Sequence, residues 1–422
     1  MEGALIEEDD SRSDSEAPRT PKTICCGACT EDDSEELGCV AGPLLLSVLI
    51  VVCGTASTIT SKLQYEVRSR GFEHCHYEDR TTRRCPFTKP YFQTLVMKAA
   101  MSTCLLIAWV AKRCRRPQPT GELAESLLDN GAPRQTPDRS AILAVAAPAF
   151  TDLLQTALAQ AGLLFVSSST YQMTRGSVVV FTCILSVRWL KQKLRPHHYV
   201  AVAVVCAAVA LVGVAGRFGE KGHASLGSYV LGLGLIVIGQ AVGALQFCLE
   251  EHLMVERGLS PVVLVGWEGL WGILYFVILA PVLSLTPDSN VAAAALWHED
   301  FAETFDQLAH SGDLIALTLA SALALLLYNL VGNMVTKQLS AVMRSILESC
   351  RTLGVWLTSL VLYYAFHDSR AGERWTSWSF LELIGFALLV YGTLAYKEIA
   401  PVPLLRRPES PLPIDRQRSH TI

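Results

Sequence analysis

Long apolar runs dominate the chain and set the elements it predicts. Ten segments stand out, near 41–62, 90–111, 141–165, 168–189, 197–216, 226–249, 260–283, 314–337, 340–366 and 378–396. A helix needs about 20 such residues to cross the hydrocarbon core of a bilayer. Backbone groups in lipid must be satisfied within the segment, so each run is expected to be a helix. Leu37–Ser61, Pro196–Gly216, Ala224–Leu249 and Leu314–Thr336 carry no charge at all, whereas Lys98 interrupts the second span. Outside the spans, 1–40 and 398–422 read as disordered tails and 115–139 as a flexible loop. The stretch 284–311 differs: Leu296, Trp297, Phe301, Phe305 and Leu308 recur at near-helical spacing between acids, predicting a short amphipathic helix at the membrane surface.

Composition agrees with this pattern, with 51% hydrophobic and 18% charged residues. The predicted fold class is therefore an all-α polytopic membrane protein with ten transmembrane helices. The first forty residues hold twelve acids against three bases and no apolar h-region, so the first span is expected to act as an uncleaved signal-anchor. Loops 112–140, 188–197 and 397–422 carry six, four and five Lys/Arg, which puts them and both tails in the cytosol by the positive-inside rule. Loop 63–90 falls on the other side despite its own six Lys/Arg, which four acids dilute. Ten spans divide into 41–216 and 224–397, five helices each. Five is odd, so the second set enters from the opposite face, as in an inverted repeat. The openings of the fourth and ninth spans, SSTYQMTR and LSAVMR, echo one another.

Most cysteines fall inside spans, where Cys acts as a small hydrophobe. Cys75 and Cys85 share loop 63–90 on the oxidising side, where a disulfide would close a short ring. A zinc site from His74, Cys75, His76 and Cys85 is the less favourable reading, because adjacent ligands fit one tetrahedral ion poorly. Cys25, Cys26 and Cys29 cluster in the cytosolic tail, either as palmitoylation sites or as spare thiols.

Charges inside the membrane are the informative residues. Arg175 lies thirteen residues from the basic group at Arg188, about 20 Å along a helix. Arg344, Glu348 and Arg351 stand at i, i+4 and i+7 of the ninth span, on one face. An ion at the bilayer centre costs about 3 kcal/mol by insertion scales, so this face should point into the bundle. It either fixes helix register or lines a solute pathway, and the pathway reading is favoured. Asp152 and Gln155, Tyr171 and Arg175, Gln240 with Glu250 or Glu251, Glu268 with Trp271 and Tyr275, and Asn329 with Asn333 put polar groups on further spans. Gly239 and Gly243 let two helices approach closely. No GxxxxGK[ST] and no HExxH occurs, so ATP-driven transport by this chain and zinc hydrolase chemistry are not expected, and no cofactor is called for.

The segments TYQMTRGSVVVFTCILSVRWLKQKL, TKQLSAVMRSILESCRTLGVWLTSLVL and GALQFCLEEHLMVERGLSPVVLVGWEGLWG resemble helices four, nine and six-to-seven of the nucleotide-sugar-transporter-like branch of the drug/metabolite transporter superfamily. Within it the chain is most similar to the solute carrier 35 family, subfamily F member 6 group, itself similar to chloroquine-resistance-type transporters. The resemblance spans about 41–397 and implies two inverted five-helix repeats with alternating access around a central cavity. It implies that helices four and nine line that cavity, bringing Tyr171, Gln172, Arg175, Arg344, Glu348 and Arg351 to it. The chain has Val178 where nucleotide-sugar carriers of the A subfamily place a Lys, which puts that substrate class in question.

The expected function is secondary or facilitative transport of a small polar organic solute, with no enzyme activity. Tyr171, Gln172, Arg175, Glu268, Asn333, Arg344, Glu348 and Arg351 are the candidate binding residues, supported by Asp152, Gln155, Gln240 and Trp271. Guanidinium forks suit phosphate or carboxylate, and Glu268 or Glu348 is the candidate carrier of a coupling proton, a counter-substrate being the alternative. The expected partners are the solute and the lipid bilayer, with a homodimer left open and nucleic acid not expected. An endomembrane (Golgi, lysosome or vacuole) is favoured over the plasma membrane. The competing function is a non-transporting membrane scaffold or regulator acting through the cytosolic tails.

Overall fold

The computed structural model describes residues 33–70, 84–87, 89–114, 139–163, 165–166, 171, 174–191, 195–219, 226–285, 299–366, 375–396 and 400–401. Cys25, Cys26, Cys29, Cys75, Gln172, Leu296 and Trp297 lie outside them, as does the side chain of Cys85. The chain is built almost wholly of helices: α1 Asp33–Glu66, α2 Pro90–Cys114, α3 Arg139–Ala144, α4 Ala146–Leu163, α5 Val178–Arg188, α6 Pro196–Gly219, α7 Leu226–Val255, α8 Pro261–Leu285, α9 Phe301–Ala309, α10 Gly312–Gln338, α11 Ala341–Ala365 and α12 Ser379–Tyr396. α1 thus begins inside the acidic first forty residues.

Seven segments among the described residues are long and apolar enough to cross a membrane: within α1, α2, α3–α4, α7, α8, α10 and α12. Of the fourth predicted span, the described residues include a 3-10 turn at Arg175–Ser177 followed by the eleven residues of α5. α11 has the length, but Arg344, Glu348 and Arg351 make it too charged to pass on composition. The third span breaks at Val145, where the chain passes from α3 to α4 shortly before Pro148, which has no amide hydrogen to donate. Large apolar side chains such as Val48, Leu106, Ile238, Ile278, Leu319 and Leu323 point outward and are more than half exposed. A contiguous apolar exterior of this kind marks a lipid-facing surface.

Local chemistry sets the helix ends. Between α7 and α8 the sequence RGLSP supplies Gly258 at φ +67°, then Ser260, whose Oγ accepts the Val263 N–H at 3.4 Å, then Pro261 in the first turn. Ser340 caps α11 by accepting the Met343 N–H at 3.0 Å. Asp300 and Ser311 cap α9 and α10 in the same way.

The principal helix neighbours are α1 with α10, α2 with α8, α4 with α7 and α6 with α12, followed by α1 with α11 and α5 with α7. The tail end of the bundle carries the start of α1 and the α10–α11 turn. At the opposite end, where the apolar pattern predicts no strands, β1 (Arg68–Arg70) and β2 (Arg84–Pro86) pair antiparallel, Ser69 opposite Cys85. This hairpin end is closed further by α9: Ser69 Oγ donates to the Gln307 carbonyl at 2.6 Å, and Phe92 meets Phe87 and Phe305 edge to face. Glu299 reaches across to α2, accepting the Tyr91 and Phe92 amides at 2.9 and 2.8 Å.

Candidate functional site

A cavity of about 380 Å³ lies between the helices, from mid-bundle toward the hairpin end. Asp152, Gln155, Tyr171, Arg175, Gln240, Arg344, Glu348 and Arg351 line it, together with Ser61, Lys62, Gln93, Gln246, Phe247, Tyr328 and Asn329. Nine of the residues singled out in the sequence, Asn329 among them, thus meet around one space. Glu268 and Asn333 do not line it: both are buried one layer behind. Trp271 also stands apart, its indole N–H donating to the Ile142 carbonyl at 3.1 Å, where it ties α8 to α3.

The walls combine guanidinium groups with aromatic rings. The Arg175 guanidinium lies 5.8 Å from the Tyr171 ring centre, and no described carboxylate pairs with it. Arg351 stacks 5.0 Å over Tyr328 and lies 3.7 Å from Glu348, to which the Tyr328 hydroxyl donates. Gly54 of α1 makes room for this cluster, since a Cβ there would sit 2.3 Å from Arg351 Cδ. Arg344 stacks 4.2 Å over Phe247. Cation–π contacts of this kind satisfy a guanidinium's charge while leaving its in-plane N–H groups for other acceptors.

From the lining back toward the tail end, the polar groups join into a network. Arg344 pairs with Glu250 of α7 and also donates to Asn333 Oδ1 at 3.4 Å. Gln246 Nε2 donates to Glu250 Oε1 at 2.8 Å and to Glu268 Oε1 at 3.1 Å. Lys98, fully buried, pairs with Asp152 across α2 and α4. Its stem lies against α8 in a slot that exists because residue 272 is Gly, where a Cβ would come within 2.5 Å of Lys98 Cδ. Glu251 accepts the Ala341 N–H at 2.8 Å and so places an anion at the α11 N-terminus.

Sequence reading missed the weight of Lys98, which looked only like an interruption of a span, and of Glu250, which looked equally suited to the membrane interface. The usable signal was numerical. Arg344 in the ninth span needs an acid, and Glu250 is the acid at the matching depth of the sixth. Tyr328, Gln246 and Gln93 gave no signal, because single polar residues in apolar runs commonly serve helix packing.

Comparison with known proteins bears on this arrangement. Residues 44–262 match the profile of a family described as purine nucleobase transmembrane transport. An uncharacterised protein of Schizosaccharomyces pombe is 30% identical over 261 residues, 62% of this chain and 75% of that one. Solute carrier family 35 member F6 of Pongo abelii and of Homo sapiens are 28% and 27% identical over 366 residues, 86% of this chain and 91% of theirs. A protein of known crystal structure superimposes with a TM-score of 0.52 at 13% identity, over 85% of this chain and 98% of that chain, which is a likeness of fold.

Proposed function

The chain belongs to the purine nucleobase transmembrane transport family, a family of multi-pass membrane transporters, and from that premise we propose a secondary or facilitative carrier moving a small polar organic solute by alternating access. The observation that carries the proposal is the asymmetry of the bundle. The cavity approaches the hairpin end, while a buried ion network lies between it and the tail end. Exchanging which end is sealed is what alternating access requires. Tyr171, Gln172, Arg175, Arg344, Glu348 and Arg351 are the solute contacts of this reading, with Asn333 steadying Arg344 and Asp152 holding Lys98 behind them. A purine nucleobase is the first solute to test, since flat polar rings suit walls of guanidinium and aromatic groups, and the volume falls in the range of small-ligand sites.

Helix neighbours support ten membrane crossings in two inverted repeats. Counting α3–α4 as the third crossing, the 3-10 turn with α5 as the fourth and α10 as the eighth, crossing one packs on eight and crossing six on three. Shifting each number by five turns one pair into the other. The pairs two–seven and five–ten map onto themselves, and one–nine maps onto six–four. Both tails are assigned to the cytosol and the protein to an endomembrane such as Golgi, lysosome or vacuole.

The test is uptake into proteoliposomes of labelled purine nucleobases, nucleotide sugars and amino acids, with and without a proton gradient. Saturable uptake of one class is expected. Empty-liposome rates across the panel, with a phenotype restored by the tails alone, would favour the scaffold reading instead.

A further inference from the structure

The buried network holds an odd number of charges. Two cations, Lys98 and Arg344, face three carboxylates, Asp152, Glu250 and Glu268. Lys98 is taken by Asp152 and Arg344 by Glu250. Glu268 has no described cation as an ion-pair partner, although it is only 1% exposed. Its Oε1 accepts from Gln246, and its Oε2 is buried with no hydrogen-bond partner among the described residues. The charged groups around it come from four helices: Glu250 from α7, Lys98 from α2, Asp152 from α4 and Arg344 from α11. A carboxylate left over in such a place cannot stay an uncompensated ion at reasonable cost, and it is neutralised by taking up a proton.

From this geometry we infer that Glu268 is a proton-binding site of the carrier, taking up and releasing one proton as the network closes and opens. This inference rests on the transport reading above for its purpose, but not for its test. The step is a reversible protonation: Oε2–H forms from a hydrated proton in the cavity and breaks to return it, with no electron transferred. Gln246 bridges Glu268 to Glu250 and also lines the cavity, so rearrangement there exposes the carboxyl group to cavity water. Glu348 is the poorer candidate, because Arg351 and the Tyr328 hydroxyl already occupy it. Sodium is disfavoured as the bound cation, since Lys98 Nζ and the Arg344 guanidinium already neutralise the other carboxylates that would complete its oxygen shell.

The experiment is infrared difference spectroscopy of the full chain in lipid, titrated across the neutral pH range. With Glu299→Gln as the shared background, which silences the other buried carboxyl titrating in this range, the parent protein and Glu348→Gln should share a carboxylic-acid C=O band that Glu268→Gln lacks. Should Glu268→Gln fail to fold, wild-type protein treated with dicyclohexylcarbodiimide, which adds to protonated carboxyl groups in apolar surroundings, decides: mass spectrometry should find the adduct on Glu268, diminished at alkaline pH. Uptake of labelled adenine gives a third reading, with gradient stimulation in wild type falling to none in Glu268→Gln. The inference is overturned if the band survives in Glu268→Gln, if no adduct forms on Glu268, or if sodium rather than protons stimulates uptake. Absence of uptake in wild type counts against the transport reading alone, because the spectroscopic readings do not require a solute.

Discussion

Among the described residues Arg175 leans on a ring and not on an acid, which makes it the residue whose loss should separate transport from folding. Arg175→Ala removes a cavity charge without orphaning a buried carboxylate, so uptake per molecule should fall tenfold or more, while yield and thermal stability stay near wild type. Arg175→Lys should recover only part, since a point charge does not reproduce the planar fork. A stable, normally active Arg175→Ala would remove it from the solute path. Lys98 should behave oppositely. Its pair with Asp152 is buried on the lysine side, and breaking such a pair from one side costs about 3–5 kcal/mol. Lys98→Met should therefore lower the melting temperature measured in lipid markedly, and Lys98→Met with Asp152→Leu should regain much of it. The two residues also differ in legibility. Arg175 could be read from sequence because a charge deep in an apolar run is costly wherever it faces. Lys98 could not, because its meaning depends on which acid the fold brings to it from another helix.

Helices were legible as elements wherever apolar length alone decides, as in α1, α7, α8 and α10. The hairpin was not, because β1 and β2 are three residues each and exist through pairing with one another and packing on α9. The link from Glu299 to α2 was equally hidden, being a contact between residues about two hundred positions apart. That link gives the hairpin end a pH dependence. Burial pushes the Glu299 carboxyl up to about 7 from an ordinary value of 4.5, against the opposing pull of the Phe92 and Tyr91 amides and of Lys89. A carboxyl raised by folding binds more protons in the folded state between those two values. Its contribution to stability is therefore full below about pH 4.5 and is lost as pH climbs through 7. The melting temperature of wild type relative to Glu299→Gln should decline over that window and level off above it. A difference that is flat, or that grows with pH, would contradict the assignment.

At the scale of the molecule, the proposed even number of crossings and the basic loops make one topological prediction. Glycosylation acceptor sequences introduced into 63–90 should be modified, and those introduced into 115–139 should not; the reverse pattern would invert the whole orientation. The proposed five-plus-five symmetry came from arithmetic on the spans, whereas the exchange of neighbours that supports it required the packed helices. The link across the hairpin end acquires a kinetic meaning here. Glu299 belongs to the second half of the chain, and the amides it holds belong to the first. Any cycle that parts the halves at this end must release the Tyr91 and Phe92 N–H groups to water, and any cycle that closes them must hide them again. Those two amides are built-in reporters: their deuterium uptake follows how far the hairpin end opens, in unmodified protein and without knowledge of the cargo.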